Sequence, residues 1–305
     1  MPLSKTPGFS VVVCTYNRKK YLKGCLDSLI SLEYPNYEII IVNDGSTDGT
    51  REFLDNFSAT NKCVHAIHHE RNQGLSAARN TGITHAKYDF IAFTDDDCQV
   101  DQHWLTHLAQ GFTNIQTGFV IGQTFYVREG YHGYFPERLV SNIGAHWPMG
   151  CNIAYHKDVF NHCGNFDPAL FPYGNEDTEM ALRALTKNFT FTRSTQAIVR
   201  HQAALWTPKS LIRSARHAGA WPILKKRYPK HYDTFGSPIL WGVVVRPQEY
   251  LFLLLSPALI PLLLLRYLWH SKRDLKIFFI KWPFLLIMRR YWVWREALRH
   301  RVWMF

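Results

Sequence analysis

Glycine and proline are too few, at 18 and 15 of 305 residues, for a collagen-like or low-complexity chain. Charged residues, at 19%, are too scarce for a chain that stays unfolded. Cysteine is sparse as well. The six cysteines (Cys14, Cys25, Cys63, Cys98, Cys151 and Cys163) form no close pairs of zinc or redox spacing. Each therefore reads as a small buried hydrophobe in a reducing, cytosolic compartment, and no signal-peptide-like apolar stretch opens the sequence. Three chemical signatures are also missing: the Gly-x-Ser-x-Gly elbow, a phosphate loop ending in Gly-Lys-Ser/Thr, and the Gly-x-Gly-x-x-Gly fingerprint.

What is present is a globular composition, 47% hydrophobic and 15% aromatic, long enough for one large domain or two small ones. The formal net charge of +11 suggests a polyanionic partner, and its distribution narrows the choice. Residues 250–305 hold ten Lys/Arg against two Asp/Glu, so +8 of the charge lies there, together with five of the ten tryptophans. Basic residues mixed with Trp and aliphatics favour an anionic membrane surface over nucleic acid. A nucleic-acid-binding protein would spread its basicity over the folded domain, where only +3 remains.

Residues 9–14 form a β-branched run that ends at Thr15-Tyr16-Asn17-Arg18, and Tyr21, Leu22, Cys25, Leu26, Leu29 and Ile30 follow at helical spacing. Residues 37–42 are a second strand, which stops at the turn cluster 43–49 before the helical Phe53, Leu54 and Phe57. Residues 64–68 and 90–94 read as further strands with a helix over 74–86 between them. This alternation predicts an α/β fold with a mostly parallel sheet flanked by helices. Residues 118–165 read as mixed strands and loops, and helical spacing returns at 177–187 and 210–227. Ligands of such sheets lie outside the carboxyl ends of the strands, which singles out Thr15 to Arg18, Asp44 and Asp95-Asp96-Asp97.

Three consecutive carboxylates after an apolar strand repel one another unless a cation relieves them, and carboxylate oxygens suit magnesium or manganese shared with substrate phosphates. Asp44 either bonds local backbone amides or accepts from a base N–H or ribose hydroxyl. Glu176-Asp177-Thr178-Glu179 opens a helix, so its acids are helix-dipole partners or include a general base. His201 is a surface imidazole or a late metal ligand. His103 and His107 lack the glutamate of the zinc-protease motif and read as exposed.

Taken together, these blocks resemble the family 2 glycosyltransferases of the GT-A (Rossmann-like) fold. The resemblance runs over roughly residues 9–219. It rests on Thr15-Tyr16-Asn17-Arg18, the 43–50 block, residues 72–82 with Gly74, Ala77, Arg79 and Asn80, and the acidic triplet. Further on it rests on residues 150–154, 164–167, Glu176-Asp177, and His201 followed by Ser210 and Arg213. It implies inverting transfer of a sugar from a nucleotide-diphosphate donor to a hydroxyl of a glycan or lipid-linked acceptor. The donor would be bound by Thr15, Tyr16, Asn17, Arg18, Asp44, Arg79, Asp95 and Asp96. A divalent metal, Mn2+ or Mg2+, would be held by Asp97 with Asp95 and His201. Asp177 would be the base, with the assignment able to slip to Glu176 or Glu179. Cys98-Gln99 departs from the Pro or small polar residues of many relatives, which bears on loop shape rather than on the metal. The rival enzyme reading, a sugar-nucleotide nucleotidyltransferase, is weakened because no Gly-rich triphosphate loop follows the first strand.

The expected organisation is a catalytic domain over residues 1–225, with nucleotide and acceptor halves meeting near residue 110, then a linker and membrane-associated region over 226–305. Residues 250–269 carry one charge, Arg266, and as a helix would reach roughly 30 Å, the thickness of the bilayer core, although Pro257 and Pro261 interrupt them. A single span would put the basic end opposite a catalytic domain that needs cytosolic nucleotide sugars. Residues 275–294 hold four basic residues, a pattern for a helix in the headgroup layer. The reading is attachment at the cytoplasmic face, interfacial or re-entrant, with two weak spans or an amphipathic dimer interface as alternatives.

Overall fold

The computed structural model describes residues 6–127, 141–143, 147–170, 173–202, 207–235, 238–239, 243–270 and 284–305. These fall into two compact units, one built from the described residues up to 170 and from 176–202, the other from 173–175 and the described residues from 207 onward.

The first unit is an eight-stranded sheet in the order β3-β2-β1-β4-β7-β6-β8-β5. Strands β1 (Phe9–Thr15), β2 (Tyr37–Asn43), β3 (Val64–His68) and β4 (Phe90–Asp95) are mutually parallel, and α1 (Lys19–Ile30), α2 (Thr50–Thr60) and α3 (Leu75–His85) connect them. Buried apolar residues fill both faces of β1 and β2, as parallel central strands require. Alternate residues Phe9, Val11, Val13, Ile39 and Ile41 share a core with Leu22, Cys25, Leu26 and Leu29, the apolar face of α1. Burying each of those leucines contributes about 1.5–3 kcal/mol. On the other face α3 approaches β1 so closely that a Cβ at Gly82 would lie 2.4 Å from Val12 Cγ1.

Past β4 the sheet turns mixed. β7 (Ile153–His156) pairs antiparallel with β4 and with β6 (Thr117–Val127), β6 runs parallel to β8 (Thr190–Gln202), and the short β5 (Cys98–Val100) pairs antiparallel with β8. α4 (Trp104–Gly111), α5 (Lys157–Cys163) and α6 (Glu176–Thr186) complete the unit. Asn152 ties these pieces together. Its Oδ1 accepts from the indole N–H of the fully buried Trp104 at 2.8 Å, its Nδ2 donates to Ala197 O at 2.9 Å, and its carbonyl accepts from Gly122 N at 3.0 Å.

In the second unit the helix expected over 210–227 is divided into α7 (Pro208–Arg216), a 3-10 turn (His217–Gly219) and α8 (Ala220–Arg227). Pro222 has no N–H to continue an α-helical ladder from the preceding turn, and it is tolerated only because it falls in the first turn of a new helix. Thr207 caps α7 in a reciprocal capping box with Ser210. β9 (Pro238–Ile239) and β10 (Val244–Val245) pair antiparallel, and α9 (Gln248–His270) and α10 (Leu286–His300) follow. Glu249 joins the two helices: it receives Arg289 at 2.7 Å and the fully buried Arg290 at 2.8 Å, and Arg290 also donates to Val245 O at 2.6 Å. α9 is long and apolar enough to cross a membrane, and most of its surface is exposed within the unit. Pro257 and Pro261 do not end it. Pro257 removes the donor that would have reached the Leu253 carbonyl, and Ser256 Oγ donates to that carbonyl at 2.7 Å instead. Residues 271–283, which include part of the expected headgroup helix, lie outside the described residues.

Replacing Asn152 with Ala leaves the Trp104 N–H and the Ala197 carbonyl buried without partners. Urea unfolding followed by circular dichroism should show a loss of about 3 kcal/mol; a loss under about 1 kcal/mol would remove Asn152 as the tie between these elements.

Candidate active site

The parallel register sets the strand ends flush: Thr15 lies opposite Asn43, and Cys14 opposite Asp95. Four functional segments therefore meet on one rim, the loop 16–18, Asp44, the acidic triplet and, through β5, His201.

Asp44 is 3% exposed and already engaged. Its Oδ1 accepts from His69 Nδ1 at 2.7 Å and from Gln73 N at 2.8 Å, and its Oδ2 accepts from Gly74 N at 2.8 Å. These partners are not in its own turn but belong to the loop that enters α3, which the carboxylate fixes. Asn17 takes the left-handed conformation (φ 53°) and its Oδ1 accepts from Thr47 N at 2.7 Å, so the first two strand-end loops are stitched together. Tyr16 stands about half exposed above them.

The triplet points in three directions. Asp95 is the most exposed of the three and faces Arg79 at 3.7 Å. Asp96 accepts from Thr15 Oγ1 at 2.7 Å and pairs with Arg18 at 3.2 Å. Asp97 gives Oδ2 to Arg18, while its buried Oδ1 has no hydrogen-bond partner among the described residues and faces His201 Nε2 at 3.4 Å. Burial, and to a lesser degree the neighbouring carboxylates, pushes Asp95 upward and Asp96 up to about 7, against the pull of Arg79 and Arg18.

His201 reaches the rim through pairing rather than sequence proximity, because β5 and β8 set Cys98 opposite His201. Its Nδ1 donates to Gln202 O at 2.8 Å, which turns Nε2 toward Asp97. Asp97, Cys98 and His201 bring one ligand atom each within 4.8 Å of one another. An unpartnered buried carboxylate oxygen beside a free imidazole nitrogen fits a divalent cation. The sequence reading missed Cys98, since a lone cysteine after an acidic triplet looks like a core residue. Burial, with a hydrogen bond to Cys151, holds its thiol well above the ordinary value, so it is the weakest donor of the three. Asp95 does not join that group of ligand atoms and stays with Arg79.

A second group of acids lies at the start of α6. Arg79 is buried, donates to Glu176 at 2.6 Å, and lies over the Phe166 ring at 5.4 Å. A Cβ at Gly150 would come within 2.1 Å of its Nη2, so the backbone closes directly on the guanidinium. Glu179 is fully buried and bound by Arg183 at 2.7 Å. Asp177 has no salt bridge among the described residues; its oxygens accept from Gly150 N at 3.0 Å and Thr178 N at 2.7 Å. Burial first, then the Glu176 charge, raises Asp177 to about 6, with Arg79 and these amides pulling the other way.

A parallel half-sheet whose carboxyl rim carries the acids, extended by antiparallel strands that bring in a late histidine, is the GT-A glycosyltransferase architecture. The mannosyltransferase PcManGT from Pyrobaculum calidifontis, solved with GDP-Man and Mn2+, superposes with TM-score 0.62 over 98% of this chain and 88% of its own, at 16% identity. S. aureus TarS superposes with TM-score 0.53 over 83% of this chain and 47% of its own, at 20% identity. The model of glycosyl transferase family 2 matches residues 10–179, more than half of the sequence, and the chain belongs to that family. Glycosyltransferase GlyA of Streptococcus pneumoniae is 38% identical over 158 residues, which are 52% of this chain but 21% of that protein. Glycosyltransferase AglE of Haloferax volcanii is 28% identical over 210 residues, 66% of this chain and 68% of its own length.

Removing the Arg79 charge strands Glu176 and Asp95. Arg79→Met should cost about 3–5 kcal/mol in urea unfolding. Adding Glu176→Gln should return at least about 1 kcal/mol, a coupling that two independent sites would not show.

Proposed function

We propose that the chain transfers a sugar from a nucleotide-diphosphate donor to a hydroxyl of a glycan or lipid-linked acceptor, with inversion at the anomeric carbon. The observation that carries this reading is the unpartnered Asp97 Oδ1 facing His201 Nε2 on the same rim as Thr15, Arg18 and Asp44. Asp97 and His201 are the residues to hold Mn2+ or Mg2+, with Asp95 nearby. A bound divalent cation would offset the charge that builds on the departing diphosphate. Thr15, Tyr16, Asn17, Arg18, Asp44, Arg79, Asp95 and Asp96 frame the nucleotide sugar. Of these, Asp44 keeps one acceptor direction on Oδ2 for a base or ribose, the others being spent on the loop before α3.

Asp177 is the general base. Glu176 is neutralised by Arg79 and Glu179 by Arg183, whereas Asp177 is held by two backbone amides and the Thr178 hydroxyl, with no salt bridge among the described residues. A carboxyl raised to about 6 accepts a proton better than an ordinary one and is still mostly ionised at neutral pH. The Glu176 charge beside it adds to the upward push of burial on Asp177, and Arg79 pulls the other way. As a sugar leaves with oxocarbenium-like character, the acceptor hydroxyl passes its proton to Asp177.

The tail supports attachment to the cytoplasmic face of an anionic membrane through residues 250–305. Leu251, Leu254, Leu262, Leu265, Leu268 and Trp269 on α9, with Tyr291 and Trp294 on α10, are exposed within their unit, and the segment carries a net +8.

Two measurements bear on this reading. Asp177→Asn should keep donor binding by calorimetry while lowering turnover roughly 10²–10⁴-fold, and wild-type turnover should fall as pH drops through about 6, where the base becomes protonated; wild-type turnover in the variant would move the base elsewhere. The full chain should float with phosphatidylglycerol vesicles at low salt and less with phosphatidylcholine alone; equal binding to both would remove the basic residues from the attachment.

A further inference from the structure

The two arginines of the rim differ in how they are held. The Arg79 side chain is 5% exposed and enclosed by Glu176, Phe166 and the Gly150 backbone. The Arg18 side chain is 39% exposed, yet it spans Asp96 and Asp97, whose side chains are 3% and 6% exposed. Beyond it opens a pocket of about 530 Å³ that also takes in Lys19, Lys20 and Lys23. Arg18 also lies over the Tyr21 ring at 5.0 Å, but a guanidinium with this exposure and solvated volume beside it can leave a carboxylate pair, whereas one enclosed like Arg79 cannot.

Asp97 divides its oxygens between two positions. Oδ2 is committed to Arg18, and Oδ1 faces His201 without a partner. A second cation brought to Oδ1 therefore meets the Arg18 charge across one carboxylate, and two cations on one carboxylate repel. A diphosphate resolves that conflict, because its oxygens match the planar fork of a guanidinium as well as a carboxylate does. The adjoining pocket sets Lys19 and Lys20, with Lys23 paired to Asp27 at 2.6 Å, against one acid, Asp48, so its balance still favours an anion.

We propose that Arg18 is an exchangeable counter-ion, neutralising Asp96 and Asp97 until a divalent cation and a diphosphate arrive, then passing from Asp97 to the diphosphate. This rests on the reading of the rim as a metal and diphosphate site and adds to it a coupling: the metal alone binds weakly, and metal and nucleotide bind as a pair. Arg18 is a donor-binding residue in this scheme, and Asp97 the ligand whose availability it sets.

The test uses the full chain, with bound Mn2+ measured by electron paramagnetic resonance, alone and with saturating uridine or guanosine diphosphate. Wild type should bind Mn2+ at least about tenfold tighter with a diphosphate than without. Arg18→Met should bind Mn2+ alone about tenfold tighter than wild type, the removal of one partly screened like charge, and lose most of the diphosphate enhancement. Arg18→Lys keeps the charge and should stay near wild type for Mn2+ alone. Arg18→Gln loses the charge but keeps hydrogen-bond donors, and supplies the same comparison if Arg18→Met does not fold by circular dichroism. Neutral variants that bind Mn2+ no tighter than wild type, while wild type still binds Mn2+ with a diphosphate, would make Arg18 a fixed brace and overturn the proposal alone. A wild-type chain that binds no Mn2+ with either diphosphate would overturn the reading of the rim, and the proposal with it.

Discussion

Like-charge repulsion at the end of β4 is the constraint around which the first unit is organised. Asp95, Asp96, Asp97, Glu176 and Asp177 share a partly desolvated region in which, among the described residues, Arg18 and Arg79 pair with them and His201 lies beside Asp97. Left alone, such a cluster would be relieved by protonation, and burial already pushes Asp96 to about 7 and Asp177 to about 6. What keeps it together is the rigidity of the layer beneath: strands buried on both faces, packed so closely that Gly82 cannot carry a side chain. The stability of that core sustains the tension at the rim.

Much of this architecture was legible because the governing signals are local. β-branched runs of strand length, helical spacing from Tyr21 to Ile30, and turn residues after each strand fix the alternation that leads to a parallel sheet. The placement of Asp44 and the triplet at strand ends follows from the same signals. Long-range pairing left no comparable trace. β5 is three residues long, and nothing near Cys98 announces that it will lie opposite His201, more than a hundred residues away. Nor could periodicity tell which acid of the α6 turn lacks a cation, because Arg79 and Arg183 reach Glu176 and Glu179 through the fold and along the helix respectively.

Where the helices of the second unit differ from expectation, the reasons are specific. A continuous apolar and basic pattern over residues 210–227 conceals the break that Pro222 requires. Glu249 shows the converse: one acid at the start of an apolar helix, unremarkable in sequence, becomes the partner of two arginines, one of them fully buried. A buried ion pair adds little net stability, but losing either member is costly, so the arrangement fixes one mutual placement of α9 and α10 rather than many similar ones.

Ser256 carries a consequence for the medium around α9. In water, a carbonyl orphaned by proline is readily hydrated, and an internal hydroxyl gains little by reaching it. In hydrocarbon no solvent molecule can substitute, and the same hydroxyl spares the helix an unsatisfied dipole worth several kcal/mol. By closing the gap at Leu253 from within, the hydroxyl leaves that carbonyl independent of whatever surrounds the helix.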